Sequence, residues 1–205
     1  MISKLLSDAN LFYLLYLIDL DLAEQCRKLR CPHCGSVLHF ARYTRKPRGG
    51  PNNLSDEYMT RHGLCCSSED CRRRTLPASC LFMGRRVYWR CVIVVVMALH
   101  QQRPKGTSIY RLQRMFDIDH KTICRWIAYF RQVFPSSVSW KSLRGLVNPK
   151  LDDKRLPGSL LAVFLKQVPD LQQGLIVCMK FLANSTCSRF LKPKTVTAKD
   201  GDFFL

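Results

Sequence analysis

Cysteine spacing is the strongest constraint on how this chain can fold. Cys31-Pro-His-Cys34-Gly35 holds two thiols with two residues between them and a glycine directly after. Two thiolates so spaced can grip one zinc ion from a tight turn, and the glycine lets backbone amides point at the sulfurs. A tetrahedral site needs two more ligands. They are expected from Leu64-Cys-Cys-Ser-Ser-Glu-Asp-Cys71. Cys66 with Cys71 is the preferred pair, and Cys65 with Cys71 the competing one. The preference assumes that Leu64 faces one way and Cys65 the small core, which leaves Cys66 at the turn. His33 is expected to point away. Cys26, Cys80, Cys91, Cys124, Cys178 and Cys187 stand alone and read as small buried hydrophobes.

The set Cys31, Cys34, Cys66 and Cys71 therefore predicts a structural Zn²⁺. Catalytic zinc keeps an open coordination position and has a general base nearby, commonly Glu. A four-thiolate site is closed. The chain has three Glu residues, and only Glu69 lies near a ligand, where a solvated role is expected.

Charge bears on the partner. The 205 residues carry a formal net charge of +18, from 33 Lys and Arg against 15 Asp and Glu. An excess of that size points to a polyanion, with nucleic acid foremost. It is also clustered: residues 27–90 hold fourteen Lys and Arg against four acids, and this is the cysteine-rich stretch. The apolar runs Leu11–Ile18 and Val92–Leu99 are each about half the roughly 20 residues a spanning helix needs. They read as buried helices, with no membrane partner. No secretory signal is legible, so a cytoplasmic protein is expected, and one that binds DNA in a bacterial cell would be nucleoid-associated. In a reducing compartment, eleven cysteines serve as ligands and core residues and not as disulfides.

The fold class expected is mainly α with a small β zinc ribbon. An N-terminal helical segment covers 1–29, with Asp8 as a cap. A zinc-ribbon-like unit covers 30–84, with β-prone pieces such as Val37–Tyr43 and a basic insert, Arg45–Asp56, between its halves. A three-helix unit covers 85–135: an apolar helix Val87–Gln102 broken by Pro104 and Gly106, a second helix Ser108–Phe116, and a third, His120–Phe134. Residues 136–205 form a partly ordered helical region of unknown role. Helices are expected there at Leu156–Phe164 and Leu171–Leu182, with a loose tail from Pro193.

Two groups of basic residues are candidate phosphate contacts. Arg72, Arg73 and Arg74 follow the second cysteine group, with Arg85 and Arg86 beyond. Arg45, Lys46 and Arg48 lie on the insert, which reads as a flexible arm able to follow a backbone or groove. The second and third helices read as a helix-turn-helix. Ile109, Leu112 and Met115 make an apolar stripe. Ile118 plugs the turn, and Asp119 caps the third helix. Ile123, Trp126, Ile127 and Phe130 pack inward at spacings of three and four. That leaves His120, Lys121, Thr122 and Arg125 on the exposed face where a recognition helix meets base edges and phosphates. Arg125 has the fork geometry to read a guanine.

These residues resemble the zinc-ribbon and helix-turn-helix N-terminal module of insertion-sequence transposases. The resemblance rests on the CPHCG knuckle, the second knuckle running into Arg72-Arg-Arg-Thr75, the Phe82…Arg86-Val-Tyr-Trp89 stretch before an apolar helix, and Thr122…Arg125-Trp126. It covers about residues 27–135. Short bacterial zinc-ribbon proteins related to mobile elements look closer still. The resemblance implies binding to double-stranded DNA and association with a transposase or another mobile-element protein. Such transposases continue into a catalytic domain with three metal-binding carboxylates. Here the residues after Pro135 offer Asp152, Asp153, Asp170, Asp200 and Asp202, no Glu, and no legible sheet. The expectation is a non-enzymatic accessory or regulatory factor with no catalytic residues. Two alternatives are a truncated transposase or nuclease using those aspartates with Mg²⁺, and an RNA-binding or protein-interaction adaptor.

Overall fold

The computed structural model describes residues 2–102, 105–147 and 151–185. Cys187, Pro104, the tail from Pro193, Asp200 and Asp202 lie outside the described residues. The architecture is mainly helical with small antiparallel sheets, as the residue pattern predicts.

A short 3-10 turn, Ile2–Ser7, precedes α1, Ala9–Lys28. Asp8 caps α1 by accepting from the Asn10 amide at 2.9 Å. One stripe of α1 is buried: Leu11, Phe12, Leu15, Asp19, Leu22, Ala23 and Cys26, at helical spacings of three and four. The helix stops at Leu29, and Arg30 then adopts a left-handed conformation with φ 61°. Turning there delivers the chain into the first cysteine turn.

Five short strands follow: β1 (Leu38–Phe40), β2 (Tyr43–Thr44), β3 (Thr60–Arg61), β4 (Leu64–Cys66) and β5 (Arg74–Thr75). The order β1-β4-β5 makes one antiparallel sheet, and β2 pairs with β3 in another. The register sets Leu38 opposite Cys66 and Cys65 opposite Arg74.

The central element is α2, Arg90–Gln101, in which every residue from Arg90 to Met97 is buried. A helix buried on all sides needs cover all round. Two later helices, α6 (Gly158–Gln167) and α7 (Leu171–Ser185), pack against α2, and α1 packs against α7. The apolar helix begins three residues later than Val87, the predicted start. Residues 82–89 instead double back through a turn at Gly84, φ 57°, with bridges from Phe82 to Trp89 and from Arg48 to Tyr88. Trp89 is buried against Phe12 and Phe82, at ring separations of 5.2 and 5.5 Å. A Cβ at Gly50 would fall 2.5 Å from Trp89 Nε1, so only glycine lets the insert lie this close.

α3 (Ile109–Phe116) and α4 (His120–Ala128) are joined by a turn in which Asp117 is left-handed, φ 49°. Leu112, Ile118, Ile123 and Trp126 are buried. Met115, predicted to share the inward stripe, is exposed; Phe116 packs against the core in its place. The third helix does not run regularly to Phe134. It widens into a π turn over Tyr129–Val133, which leaves Phe130 and Phe134 both buried. Those rings lead through Trp140 of α5 (Val138–Arg144) to Phe181 of α7. α6 (Gly158–Gln167) and α7 (Leu171–Ser185) pack as a pair and join the same core as α1 and α2. No helix among the described residues is long and apolar enough to cross a membrane.

His62 gives the fold a pH signature. It is 2% exposed, sits beside the Tyr16 ring at 5.8 Å, and neither ring nitrogen has a hydrogen-bond partner. Burial, with Arg42 and Arg61 adding positive charge, pushes its pKa down to about 4. Between the ordinary histidine value and about 4, the unfolded chain takes up a proton that the folded chain refuses, so stability falls as pH falls. Over that window the wild type is expected to lose about 2 kcal/mol more than a His62→Phe variant. Urea unfolding at stepped pH reads the difference; parallel curves would show that His62 takes up its proton equally in the folded and unfolded chain.

Candidate metal centre and basic surfaces

Two turns meet at the end of the β1-β4-β5 sheet. In the first, Gly35 donates to the Cys31 carbonyl at 2.9 Å, and the Cys31 amide donates to Ser36 O at 2.8 Å. Gly35 has φ 76°, a conformation glycine adopts without a Cβ penalty. In the second, Arg72 and Cys71 both donate to Ser68 O, and the Cys66 amide donates to Arg73 O at 3.0 Å. A bond from the Ser67 amide to Val37 O, 3.0 Å, ties the turns together. Pairing of β1 with β4 thus carries Cys31 and Cys34 to Cys66 and Cys71 across more than thirty residues of chain.

The four sulfurs lie within 4.8 Å of one another. Cys31 and Cys71 are 3.8 Å apart, and Cys34 and Cys66 3.3 Å. Four thiolates around a tetrahedral zinc at about 2.3 Å stand about 3.8 Å apart, so these residues fit the ion. The donor chemistry agrees. Hydrogen bonds from Ser36 pull the Cys34 thiol down to about 6, whereas burial pushes Cys66 up to about 12. Four thiolates this close repel one another, and a divalent cation removes the conflict. This is the one such group of ligand-type side chains found among the described residues.

Cys66 occupies the position chosen from sequence, for a different reason. Leu64 and Cys66 are both buried on one face of β4, and Cys65 turns to the other, its Sγ 3.5 Å from Arg72 O. Strand alternation therefore points Cys66, not Cys65, at the small core. Cys26 of α1 packs into that core with Leu38 and Leu64. His33 does point away, its Nδ1 2.9 Å from an Arg73 guanidinium nitrogen. Cys80, Cys91 and Cys178 are buried, as expected of core thiols. Cys124 is half-buried, 3.7 Å from His120 Nδ1.

The basic insert is docked. Arg45 donates to Arg86 O at 2.9 Å and to Gly84 O at 3.2 Å, with its guanidinium over the Phe82 ring. The Arg48 amide donates to Val87 O at 2.7 Å. The expectation of a loose arm fails because the carbonyls of Gly84, Arg86 and Val87 and the Trp89 amide hold the insert in place. Docking lays Arg45 and Arg48 along the segment that carries Arg86. Arg86 is itself braced 4.0 Å over the Tyr129 ring. A cleft of about 570 Å³, bordered by Arg48, Gly50, Asn52, Tyr88, Phe116 and Asp117, then joins the insert to the α3–α4 turn. Arg72, Arg73 and Arg74 are exposed at the second cysteine turn instead.

On α4, Asp119 caps by accepting from the Thr122 amide at 3.2 Å. Lys121 and Arg125 are exposed, and His120 and Thr122 half-buried. Tyr110 stands over His120 at 5.7 Å, an aromatic contact that sequence reading missed. The C-terminal aspartates are occupied separately: Asp152 accepts from the Lys154 amide, Asp153 pairs with Arg144, and Asp170 accepts from the Gln173 amide.

The chain matches no known family, curated protein or solved structure.

Proposed function

We propose that this chain is a zinc-stabilised DNA-binding protein that acts by binding and not by catalysis. The observation that carries the reading is the docking of the basic insert beside the α3–α4 turn. Lys46, Arg48, Arg85 and Arg86 would then meet backbone phosphates of a duplex whose major groove faces the exposed Lys121 and Arg125. In this reading Cys31, Cys34, Cys66 and Cys71 hold a structural zinc in a ribbon, and α3 and α4 are a helix-turn-helix. Phosphates of the duplex meet the insert and Arg72–Arg74, while Lys121, Thr122 and Arg125 meet base edges in the major groove. Arg45 acts here as a brace, because its donors are given to two carbonyls. The resemblance to transposase end-binding modules suggests a role beside a mobile element, as an accessory or regulator.

Fluorescence anisotropy with duplex DNA tests it. Affinity is expected to fall about 10³-fold between 50 and 200 mM salt, the response of a protein releasing several counterions. Arg125→Ala is expected to cost about 1–3 kcal/mol on a selected sequence and little on random duplex. Binding indifferent to salt, or a stronger preference for structured RNA, would remove the reading.

A further inference from the structure

We infer that a second pocket, away from the exposed face of α4, binds the phosphate group of a small molecule. It lies between the end of α2, the π turn after α4 and the segment before α6. Its volume is about 240 Å³, and its walls include His100, Gln101, Arg131, Lys154 and Arg155.

Charge makes the first argument. Three cationic side chains converge, and no carboxylate is among the lining residues. The nearest acids in sequence are already engaged. Asp152 accepts from the Lys154 backbone at 3.0 Å, and Asp153 is 2.9 Å from Arg144. Arg131, Lys154 and Arg155 take part in none of the ion pairs among the described residues. Cations gathered without a counter-charge repel one another, and an anion between them relieves that repulsion with charge-assisted hydrogen bonds.

Fixed geometry makes the second. Arg155 donates to Gln101 O at 3.2 Å, while its Nε is buried with no hydrogen-bond partner. The amide of Gln101 is locked at both ends: Nε2 donates to Leu156 O at 2.6 Å, and Oε1 accepts from the Gly158 amide at 2.9 Å. A guanidinium held against a locked wall is ordered before any ligand arrives, so binding costs it little side-chain freedom.

Size and direction choose the ligand. The volume is generous for a bare oxyanion and just under the range of about 300 Å³ and above in which small-molecule pockets fall. A phosphate monoester with a modest organic group suits it. Ile127 and Arg131, four residues apart, share a flank of the helix that Lys121 and Arg125 do not occupy. A duplex lying on Lys121 and Arg125 therefore leaves this pocket free. The inference does not depend on the DNA-binding reading.

The test uses the full, zinc-loaded chain and calorimetric titration with inorganic phosphate, against chloride at equal ionic strength. Arg131→Gln and Lys154→Gln alter exposed side chains, and unchanged thermal unfolding would verify that both variants fold. The wild type is expected to bind phosphate saturably at one site. Each single variant is expected to bind roughly tenfold more weakly, as fits the loss of one hydrogen bond to a charged group. The double variant should show no saturable heat. Equal responses in the wild type and the double variant, or no saturation in either, would overturn the inference. So would competition between a short duplex and phosphate, with both lost together in the double variant, because the pocket would then take backbone phosphates.

Discussion

A Cys66→Ser chain is expected to come off purification without zinc and with its cysteine unit unfolded. The strands there are two or three residues long, and their core beyond the four sulfurs is Cys26, Leu38 and Leu64. Full burial of a leucine contributes about 1.5–3 kcal/mol. Two leucines are too small a core to order a unit of that length by themselves. A structural zinc held by four thiolates contributes roughly 10–16 kcal/mol, several times what those leucines supply. Elemental analysis should give a single zinc per chain for the wild type and none for Cys66→Ser. Protease nicking between β1 and β5 should rise with the loss. Cys65→Ser is the control, since its sulfur faces Arg72 O and not the cluster; it should keep the metal. Metal lost from Cys65→Ser and kept by Cys66→Ser would reverse the ligand assignment. The circular dichroism of the helices should change little, because α2, α6 and α7 draw on a separate apolar core.

Asp19→Ala is expected to be the most damaging single change outside the cysteines, at about 3–5 kcal/mol. Asp19 is 1% exposed and faces the start of the segment that leads to α2. It accepts hydrogen bonds from the Ser79 hydroxyl and the Cys80 amide, with the Leu81 amide at 3.5 Å. Burial pushes its carboxyl up, while those hydrogen bonds and the charges of Arg61 and Arg90 pull it down. Removing the carboxylate takes away the negative charge that faces Arg61 and Arg90 and leaves the Ser79 and Cys80 donors without their acceptor. Asp19→Asn keeps an acceptor oxygen and should lose less. Urea unfolding measures both. A cost below about 1 kcal/mol for Asp19→Ala would show that the arginines are neutralised elsewhere.

Much of this was readable in the residues. The cysteine spacing located the four sulfurs, because a thiol pair on a tight turn has few other uses. Asp8, Asp119 and Ile118 took their predicted places, because capping and turn plugging are local. What escaped were arrangements settled between distant segments. Arg45 looked like a free phosphate contact, since nothing nearby in sequence announces the carbonyls of Gly84 and Arg86. Cys66 was chosen on a picture of β4 that strand alternation reverses. Asp19 carried a signal that was passed over: a carboxylate four residues after Leu15 and three before Leu22, on the apolar stripe of α1, has to be partnered. Arg131 and Arg155 are 24 positions apart, and their meeting depends on how the π turn is laid against the segment before α6.

The insert clasped along residues 84–89 has a thermodynamic corollary. Its backbone and the Arg45 side chain are already held before any encounter, so association would not be coupled to folding of that loop. The heat-capacity change on complex formation should then be small, and its entropy should reflect mainly the counterions and water released from the polyanion.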